Sequence, residues 1–298
     1  MPFGLHGAAA NFQRLMDKVL QGAEGYARAY IDDVVVFSQS WEDHLKHLAE
    51  VFDRLKDAGL VINPEKTVLC KDEVQYLGYT IGGGIIRPQV DKVAAIQNRL
   101  QPATKRQVRS FLGLVGWYRR FIPNFSSIAA PLSDLLKNQA PRNIKWTETC
   151  EHAFNTLKKV FCENVLLHCP DFSKPFILQV DASGEGLGAA LMQGEGEERR
   201  PILFISRKLF DREKKYAVLE KEGLAIKWAI DSLKYYLLST EFVVESDHRA
   251  LQWIQRMRHS NARVARWYLS LQPYKFQVRY VSGKKNLVAD YLSRLCDL

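Results

Sequence analysis

Phe176-Ile177-Leu178-Gln179-Val180-Asp181 reads as a buried strand that ends on a carboxylate. Gly184, Gly186 and Gly188 mark a turn into a second strand, Ala189–Met192, and Pro201–Ser206 supplies a third. Apolar spacing then predicts a long helix over Tyr216–Leu238. Phe242–Ser246 is a fourth strand, and it too runs into an acid, Asp247. One or two helices follow, then a strand over Phe276–Val281, a Ser282-Gly283 turn and a last helix containing Asp290. Strands first and alternation with helices afterwards argue for a mixed α/β layered fold from Asp171 to Leu298.

Upstream, Arg87 to about Pro170 reads as mostly helical. Thr104 and Gln107 form a T-x-x-Q capping box ahead of an apolar stripe, Val108, Phe111, Leu112 and Val115. Thr147 caps a further helix through Phe154, Leu157 and Phe161. The first segment reads as helix, hairpin, helix, hairpin. Tyr30-Ile31-Asp32-Asp33-Val34-Val35-Val36-Phe37 suits two short strands around a tight turn carrying Asp32 and Asp33. Ser40 caps the next helix with Asp43 as its reciprocal partner, and Gly59 ends it. Tyr76–Ile81 reads as one strand, with Gly82-Gly83-Gly84 turning into Ile85-Ile86.

The chain of 298 residues is long enough for two or three domains. With 47% hydrophobic and 25% charged residues it is ordinary for a globular protein, and no apolar run reaches the roughly 20 residues of a membrane span. Five cysteines without a CxxC pair suggest reduced thiols and an intracellular setting, cytoplasm or nucleus. The net charge of +9 is unevenly placed. Arg87–Arg120 holds eight Lys/Arg against Asp91 alone, and Arg249–Lys285 holds nine with no acid. Separated charge of this kind points to a polyanion, because Lys and Arg that neutralise phosphates release condensed counterions.

Four acids sit where acids are costly. Asp181 and Asp247 end apolar strands, and Asp290 follows Leu287 on the last helix. Glu222 lies on the row Leu219, Ile226, Ile230 and Leu233, so it projects from the apolar face of its helix. Glu220 competes for the same role, but it falls off that row. Carboxylates at two strand ends and on a covering helix can converge, and divalent cations would relieve their repulsion.

Val180-Asp181-Ala-Ser-Gly184, Glu220-Lys-Glu222-Gly-Leu-Ala-Ile226, Ser246-Asp247-His248 and Asn286-Leu-Val-Ala-Asp290-Tyr-Leu-Ser-Arg294 resemble the four blocks of the ribonuclease H domain of gypsy-type retroelements. The resemblance implies catalytic and metal-binding Asp181, Glu222, Asp247 and Asp290. It also implies a five-stranded mixed sheet with flanking helices, two Mg²⁺ or Mn²⁺ ions, and cleavage of the RNA strand of RNA–DNA hybrids. Relatives outside this group often carry a histidine before the last acid, whereas Ser282-Gly283-Lys284-Lys285 has none.

Tyr30-Ile31-Asp32-Asp33 is similar to the polymerase signature of reverse transcriptases, and Pro2-Phe3-Gly4-Leu5 to their template-contact block. Tyr76-Leu77-Gly78-Tyr79 resembles their primer-gripping hairpin, and Phe111–Phe125 the thumb-like region after it. Such polymerases need a third metal-binding aspartate ahead of Pro-Phe-Gly-Leu, where the sequence starts. Asp32 and Asp33 are therefore expected to be a vestigial metal pair.

The resulting expectation is a mixed α+β and α/β multidomain chain. It has a partial reverse-transcriptase palm over 1–86, a thumb- or connection-like helical region over 87–170 and an RNase H-like domain over 171–298. Arg249, Arg256, Arg258, Arg263, Arg266, Lys284 and Lys285, with Arg106, Arg109, Arg119 and Arg120, are expected to track the phosphates of hybrid or other nucleic acid. Trp253, Trp267 and Tyr268 interleave with them. The rival readings are a non-catalytic nucleic-acid-binding relic and, if another chain supplies the missing region, an RNA-dependent DNA polymerase.

Overall fold

The computed structural model describes residues 5–137, 144–162, 166–249 and 262–281. The chain divides into two compact units, Met1–Leu77 and Gly78–Leu298.

The first unit contains α1 (Ala8–Val19), β1 (Ala27–Tyr30), β2 (Asp33–Val36), α2 (Trp41–Asp57) and β3 (Glu73–Tyr76). Met16, Leu20, Ala23, Ala27, Val51 and Leu55 form its core. Ser40 caps α2 as the sequence predicts, its Oγ accepting from the Asp43 N–H at 3.2 Å. Tyr30 pairs with Asp33 across the hairpin, so Ile31 and Asp32 form its turn. Ile31 has φ 55°, which is strained for a β-branched residue. The Gln13 side chain braces that turn, accepting from the Ile31 N–H at 2.6 Å and donating to the Ala29 carbonyl at 3.1 Å. Tyr30, Val34 and Phe37 stand exposed on the hairpin, so little apolar cover reaches it within this unit.

The second unit opens with β4 (Tyr79–Gly82) and β5 (Ile85–Pro88). Gly83 and Gly84 connect them at φ 56° and 74°, the left-handed pair that a tight two-residue hairpin needs. The single strand expected over Tyr76–Ile81 is broken, because Leu77 and Gly78 both take positive φ. Tyr118 and Trp117 pack onto the Gly78 backbone, and the Tyr118 hydroxyl donates to the Gly78 carbonyl at 2.9 Å. Next come α3 (Val90–Gln97), α4 (Lys105–Trp117), α5 (Phe125–Ile128), α6 (Ala130–Asp134), α7 (Glu148–Cys162) and β6 (Leu167–His168), which pairs with β5. The capping box on α4 is present as read: Thr104 Oγ1 accepts from Gln107 N–H at 3.2 Å, and Gln107 Oε1 accepts from Thr104 N–H at 3.1 Å.

The rest of this unit is β7 (Phe176–Ala182), β8 (Gly186–Gln193), β9 (Arg200–Lys208), α8 (Asp211–Lys214), α9 (Val218–Ser232), α10 (Lys234–Leu237), β10 (Glu241–Ser246), α11 (Ala262–Ser270) and β11 (Lys275–Tyr280). The strands form a five-stranded mixed sheet in the order β11-β10-β7-β8-β9. β10 runs parallel to β7 and β11, while β7, β8 and β9 are antiparallel. The long helix expected over Tyr216–Leu238 is two helices. It breaks at Leu233, which leaves helical geometry at ψ 18°, and both Leu233 and Leu237 are buried after the bend.

Both sheet faces are covered. Phe176, Leu178, Val180 and Val244 pack with Ile226 and Ile230 of α9 and Val264 of α11. On the other face Ile177, Ala190, Met192 and Phe204 pack with Phe111 and Val115 of α4, Leu132 of α6 and Phe154 and Leu157 of α7. The helical region and the sheet thus share one apolar core. Polar bonds reinforce the junction, since Ser126 Oγ donates to the Ser206 carbonyl at 2.8 Å and Ser206 Oγ accepts from the Ser126 N–H at 3.0 Å.

Candidate metal centre and nucleic-acid surface

Parallel pairing of β7 with β10 brings two strand ends side by side, with Asp181 one residue before the end of β7 and Asp247 one residue past the end of β10. The register matches Gln179 with Glu245, so Asp181 and Asp247 each lie two residues further on. A buried polar network pins that register. Gln179 Nε2 donates to Glu245 Oε2 at 2.8 Å, Arg199 donates to both Glu245 oxygens at 2.9 and 3.1 Å, and Arg279 donates to Oε1 at 2.6 Å. Glu245 is only 1% exposed. Burial opposes its ionisation, but the hydrogen bonds from Gln179, Arg199 and Arg279 outweigh it and hold the carboxyl below its usual value. A one-residue slip would turn Glu245 onto the α9 face, away from Arg199 and Arg279, so the network selects one register. The sequence reading missed these four residues. Its available signal was a Gln and a Glu, each two positions before an aspartate, in otherwise apolar strands.

Local turns fix each aspartate. After β10, Ser246 Oγ accepts from the His248 N–H at 3.1 Å, and the Val281 N–H donates to the Ser246 carbonyl at 3.0 Å. Ser183 closes the turn after β7 by accepting from the Gly186 N–H at 3.0 Å. Gly188 pairs with Asp181 on β8, where a Cβ would lie 2.9 Å from Asn124 Oδ1, so only glycine fits without a shift.

Glu222 descends from α9 onto these ends. One ligand oxygen from each of Asp181, Glu222 and Asp247 lies within 4.8 Å of the others. Glu222 is 5% exposed and accepts a hydrogen bond from the Ala182 backbone, yet among the described residues its buried Oε2 has no hydrogen-bond partner. Burial, with the charges of Asp181 and Asp247 added, pushes its carboxyl up to about 9. Glu220 does a different job. Its Oε2 accepts from the Ala217 N–H at 3.1 Å at the start of α9, and its Oε1 takes Arg263 Nη1 at 3.2 Å. Asp290 lies outside the described residues.

Hard oxygen donors, mutual repulsion and an orphaned buried oxygen fit a divalent cation of the Mg²⁺ or Mn²⁺ type. The same chemistry gives a pH dependence. Between pH 4.5, the ordinary carboxyl value, and about 9, the folded metal-free chain keeps a proton on Glu222 that the unfolded chain has released. The unfolded state then binds fewer protons, so this group makes stability fall as pH rises through that window. Glu222→Gln should flatten the fall, read from thermal melts of metal-free protein at about pH 5 and about pH 8.5. A wild-type and variant difference that does not change between those pH values would contradict the assignment.

The basic residues divide into groups. Arg106, Arg109, Arg119 and Arg120 are exposed. Arg106, Arg109, Gly113 and Trp117 share the side of α4 away from Val108, Phe111 and Val115, and Trp117 is 58% exposed. Trp117 escaped the sequence reading because an isolated tryptophan is more often core. Arg266 is exposed on α11, and the Arg249 guanidinium lies 5.0 Å from the Tyr280 ring. Arg263 is occupied by Glu220 and by the Tyr216 ring, 4.2 Å below its guanidinium. Trp267 and Tyr268 pack against the sheet core. Arg256, Arg258, Lys284, Lys285 and Trp253 lie outside the described residues. Asp32 and Asp33 are exposed at their hairpin, and among the described residues no third carboxylate joins them.

Comparison with known proteins places this arrangement. Residues 171–274 match a family model described as an RNase H-like domain found in reverse transcriptase. Residues 1–81 match the reverse transcriptase (RNA-dependent DNA polymerase) model. Over 296 residues, 99% of the chain, the sequence is 40% identical to the retrovirus-related Pol polyprotein from transposon 297 of Drosophila melanogaster. The chain is homologous to retrotransposon Pol polyproteins over nearly its whole length. It is also 40% identical over 306 residues to the Pol polyprotein from transposon gypsy of the same species, and 34% identical over 303 residues to the transposon Tf2-3 polyprotein of Schizosaccharomyces pombe. It spans 28%, 29% and 23% of those three polyproteins. Among solved structures, a foamy viral protease-reverse transcriptase in complex with dsDNA superposes with a TM-score of 0.81 at 25% identity, covering 95% of this chain and 60% of its own. The complex of that viral protein with an RNA/DNA hybrid gives 0.79 at 26% identity, covering 94% and 39%. No helix among the described residues of the chain is long and apolar enough to cross a membrane.

Proposed function

We propose that this chain hydrolyses the RNA strand of RNA–DNA hybrids at the Asp181, Glu222 and Asp247 cluster, with Asp290 as a fourth acid. The observation that carries the reading is the Oε2 of Glu222, buried and without a hydrogen-bond partner among the described residues, beside two strand-end aspartates. A bound pair of Mg²⁺ or Mn²⁺ ions would neutralise developing charge and lower the pKa of an attacking water. Asp181 and Asp247 supply fixed carboxylates from the rigid sheet, and the Glu245 network holds them side by side. Glu222 would hold the cation as a carboxylate, the cation taking the place of its proton, and its burial keeps bulk water from its inner oxygen. The foamy viral relative whose structure holds an RNA/DNA hybrid supports the substrate class. The rival reading, a non-catalytic nucleic-acid-binding relic, gives no reason for three carboxylates to converge at such cost.

The reading is tested with end-labelled RNA–DNA hybrid, double-stranded RNA and double-stranded DNA, each with and without Mg²⁺. Metal-dependent cutting of the RNA strand of the hybrid alone is expected. Equal cutting of all three, or none of the hybrid, would overturn it.

The exposed face of α4 is proposed to hold backbone phosphates away from the cut. Arg106→Ala with Arg109→Ala should weaken hybrid binding. The slope of log affinity against log salt should become shallower by up to about 2, near one unit for each phosphate no longer neutralised. An unchanged slope would mean that these arginines face only solvent.

A further inference from the structure

We propose that Arg263 is a positioning residue for Glu222, and not a phosphate contact. The inference rests on the reading of Asp181, Glu222 and Asp247 as the metal-binding site.

Glu222 stands only four residues inside α9, and the first turn of a helix frays unless something holds it. The residue ahead of the helix, Ala217, has no side-chain oxygen to cap it. Glu220 caps it instead, one oxygen accepting from the Ala217 N–H while the other takes Arg263 at 3.2 Å. Arg263 belongs to α11, so this pair ties the α9 start to a second helix. The tie is built on three sides. The guanidinium lies 4.2 Å from the Tyr216 ring centre, just before α9, an arrangement that suits a planar cation over an aromatic face. Tyr216 in turn meets Trp267, one turn on from Arg263, with ring centres 6.2 Å apart. Gly223, beside Glu222, faces Val264 and Trp267 of α11, where a Cβ would meet both in ordinary contact at 3.7–3.8 Å.

A buried carboxylate pushed together with two others will swing away if its backbone can move. The Arg263, Glu220 and Tyr216 clamp removes that freedom from the turn that bears it. A guanidinium spending one edge on a carboxylate and one face on a ring is poorly placed to follow a phosphate backbone as well.

The test compares Arg263→Ala, Arg263→Lys and Glu220→Gln with wild type and with Asp247→Asn. Three quantities are read: hydrogen exchange of residues 218–222 in metal-free protein, Mn²⁺ affinity by calorimetry, and the salt slope of hybrid binding. Arg263→Ala and Glu220→Gln should each speed exchange in that turn and weaken Mn²⁺ binding by roughly 10-fold, the low end for groups that orient a metal ligand. Their salt slope should match wild type. Arg263→Lys keeps charge but loses the planar stack, so it should recover part of the Mn²⁺ affinity. A slope shallower by about 1 with unchanged Mn²⁺ affinity would make Arg263 a phosphate contact and overturn the proposal. A lower melting temperature with exchange and Mn²⁺ affinity unchanged would reduce it to general stability and overturn it equally. If Arg263→Ala does not fold, the lysine and Glu220→Gln variants carry the same three readouts. Wild-type Mn²⁺ binding by Asp247→Asn would instead sink the site reading beneath the proposal. Lost Mn²⁺ binding there, with wild-type behaviour in all clamp variants, would sink the clamp alone.

Discussion

Asp247→Asn is expected to lower hybrid cleavage by roughly 10³-fold, while hybrid binding stays the same or tightens. The side chain sits at the end of β10 with one oxygen within 4.8 Å of ligand atoms from Asp181 and Glu222. Asparagine keeps the shape, and the Ser246 and His248 turn that aims the position does not involve the carboxylate. Fold should therefore survive while one anionic ligand is lost. Metal stabilisation of a transferring phosphoryl group is worth several kcal/mol, and about 4 kcal/mol corresponds to the stated loss. The same change removes one negative charge facing the phosphates, which favours binding. It also removes part of the repulsion that raises the Glu222 carboxyl, so that group should titrate lower in the variant. Affinity and single-turnover cleavage at saturating hybrid, measured on one preparation, separate the two effects. Normal cleavage by Asp247→Asn would mean that this cluster is not where the reaction happens.

A chain starting at Asp171 is expected to lose cooperative folding, although the RNase H-like family model begins there. Ile177, Met192 and Phe204 are at most 6% exposed, and they are buried together with residues of α4, α6 and α7. Removing those helices returns three large apolar side chains to water at roughly 1.5–3 kcal/mol each. The sum, roughly 5–9 kcal/mol, is comparable to the whole stability of a typical domain, about 5–15 kcal/mol. The junction between Ser126 and Ser206 is lost as well. A chain starting at Gly78 should keep a single cooperative melt, because the compact unit begins there. Circular dichroism melts and size-exclusion profiles of the two fragments check this. A 171–298 fragment that melts cooperatively at the temperature of the longer one would show that the second face of the sheet needs no helical cover.

The parts legible in the sequence are those whose signal is local. The strand and helix periods around Phe176–Asp181 and Leu219–Leu233 gave the sheet, and the apolar row picked Glu222 over Glu220. In the structure Glu220 is spent on its own helix end and on Arg263. Thr104 and Ser40 were readable for the same reason, since a cap is decided within four residues. What escaped depends on distant partners. Arg199 reaches Glu245 from 46 residues away, and Arg279 does so from 34. Nothing local marks the bend at Leu233, which brings Leu237 into the core. Leu77 and Gly78 read as strand, but the packing of Tyr118 and Trp117 on the Gly78 backbone decides that turn. Arg263 looked like one more basic residue in an acid-free run, and its occupation by Glu220 and Tyr216 is a tertiary fact.

The central claim is that Asp181, Glu222 and Asp247 hold divalent cation together. Anomalous diffraction from a crystal of the 298-residue chain grown with Mn²⁺ and an RNA–DNA hybrid tests it most directly. The account predicts an Mn²⁺ peak coordinated by oxygens of all three side chains, with Glu222 Oε2 a ligand and Glu220 still on Arg263. An Mn²⁺-loaded crystal with no peak there, or with Glu220 turned onto the metal and Glu222 left buried and alone, would contradict it.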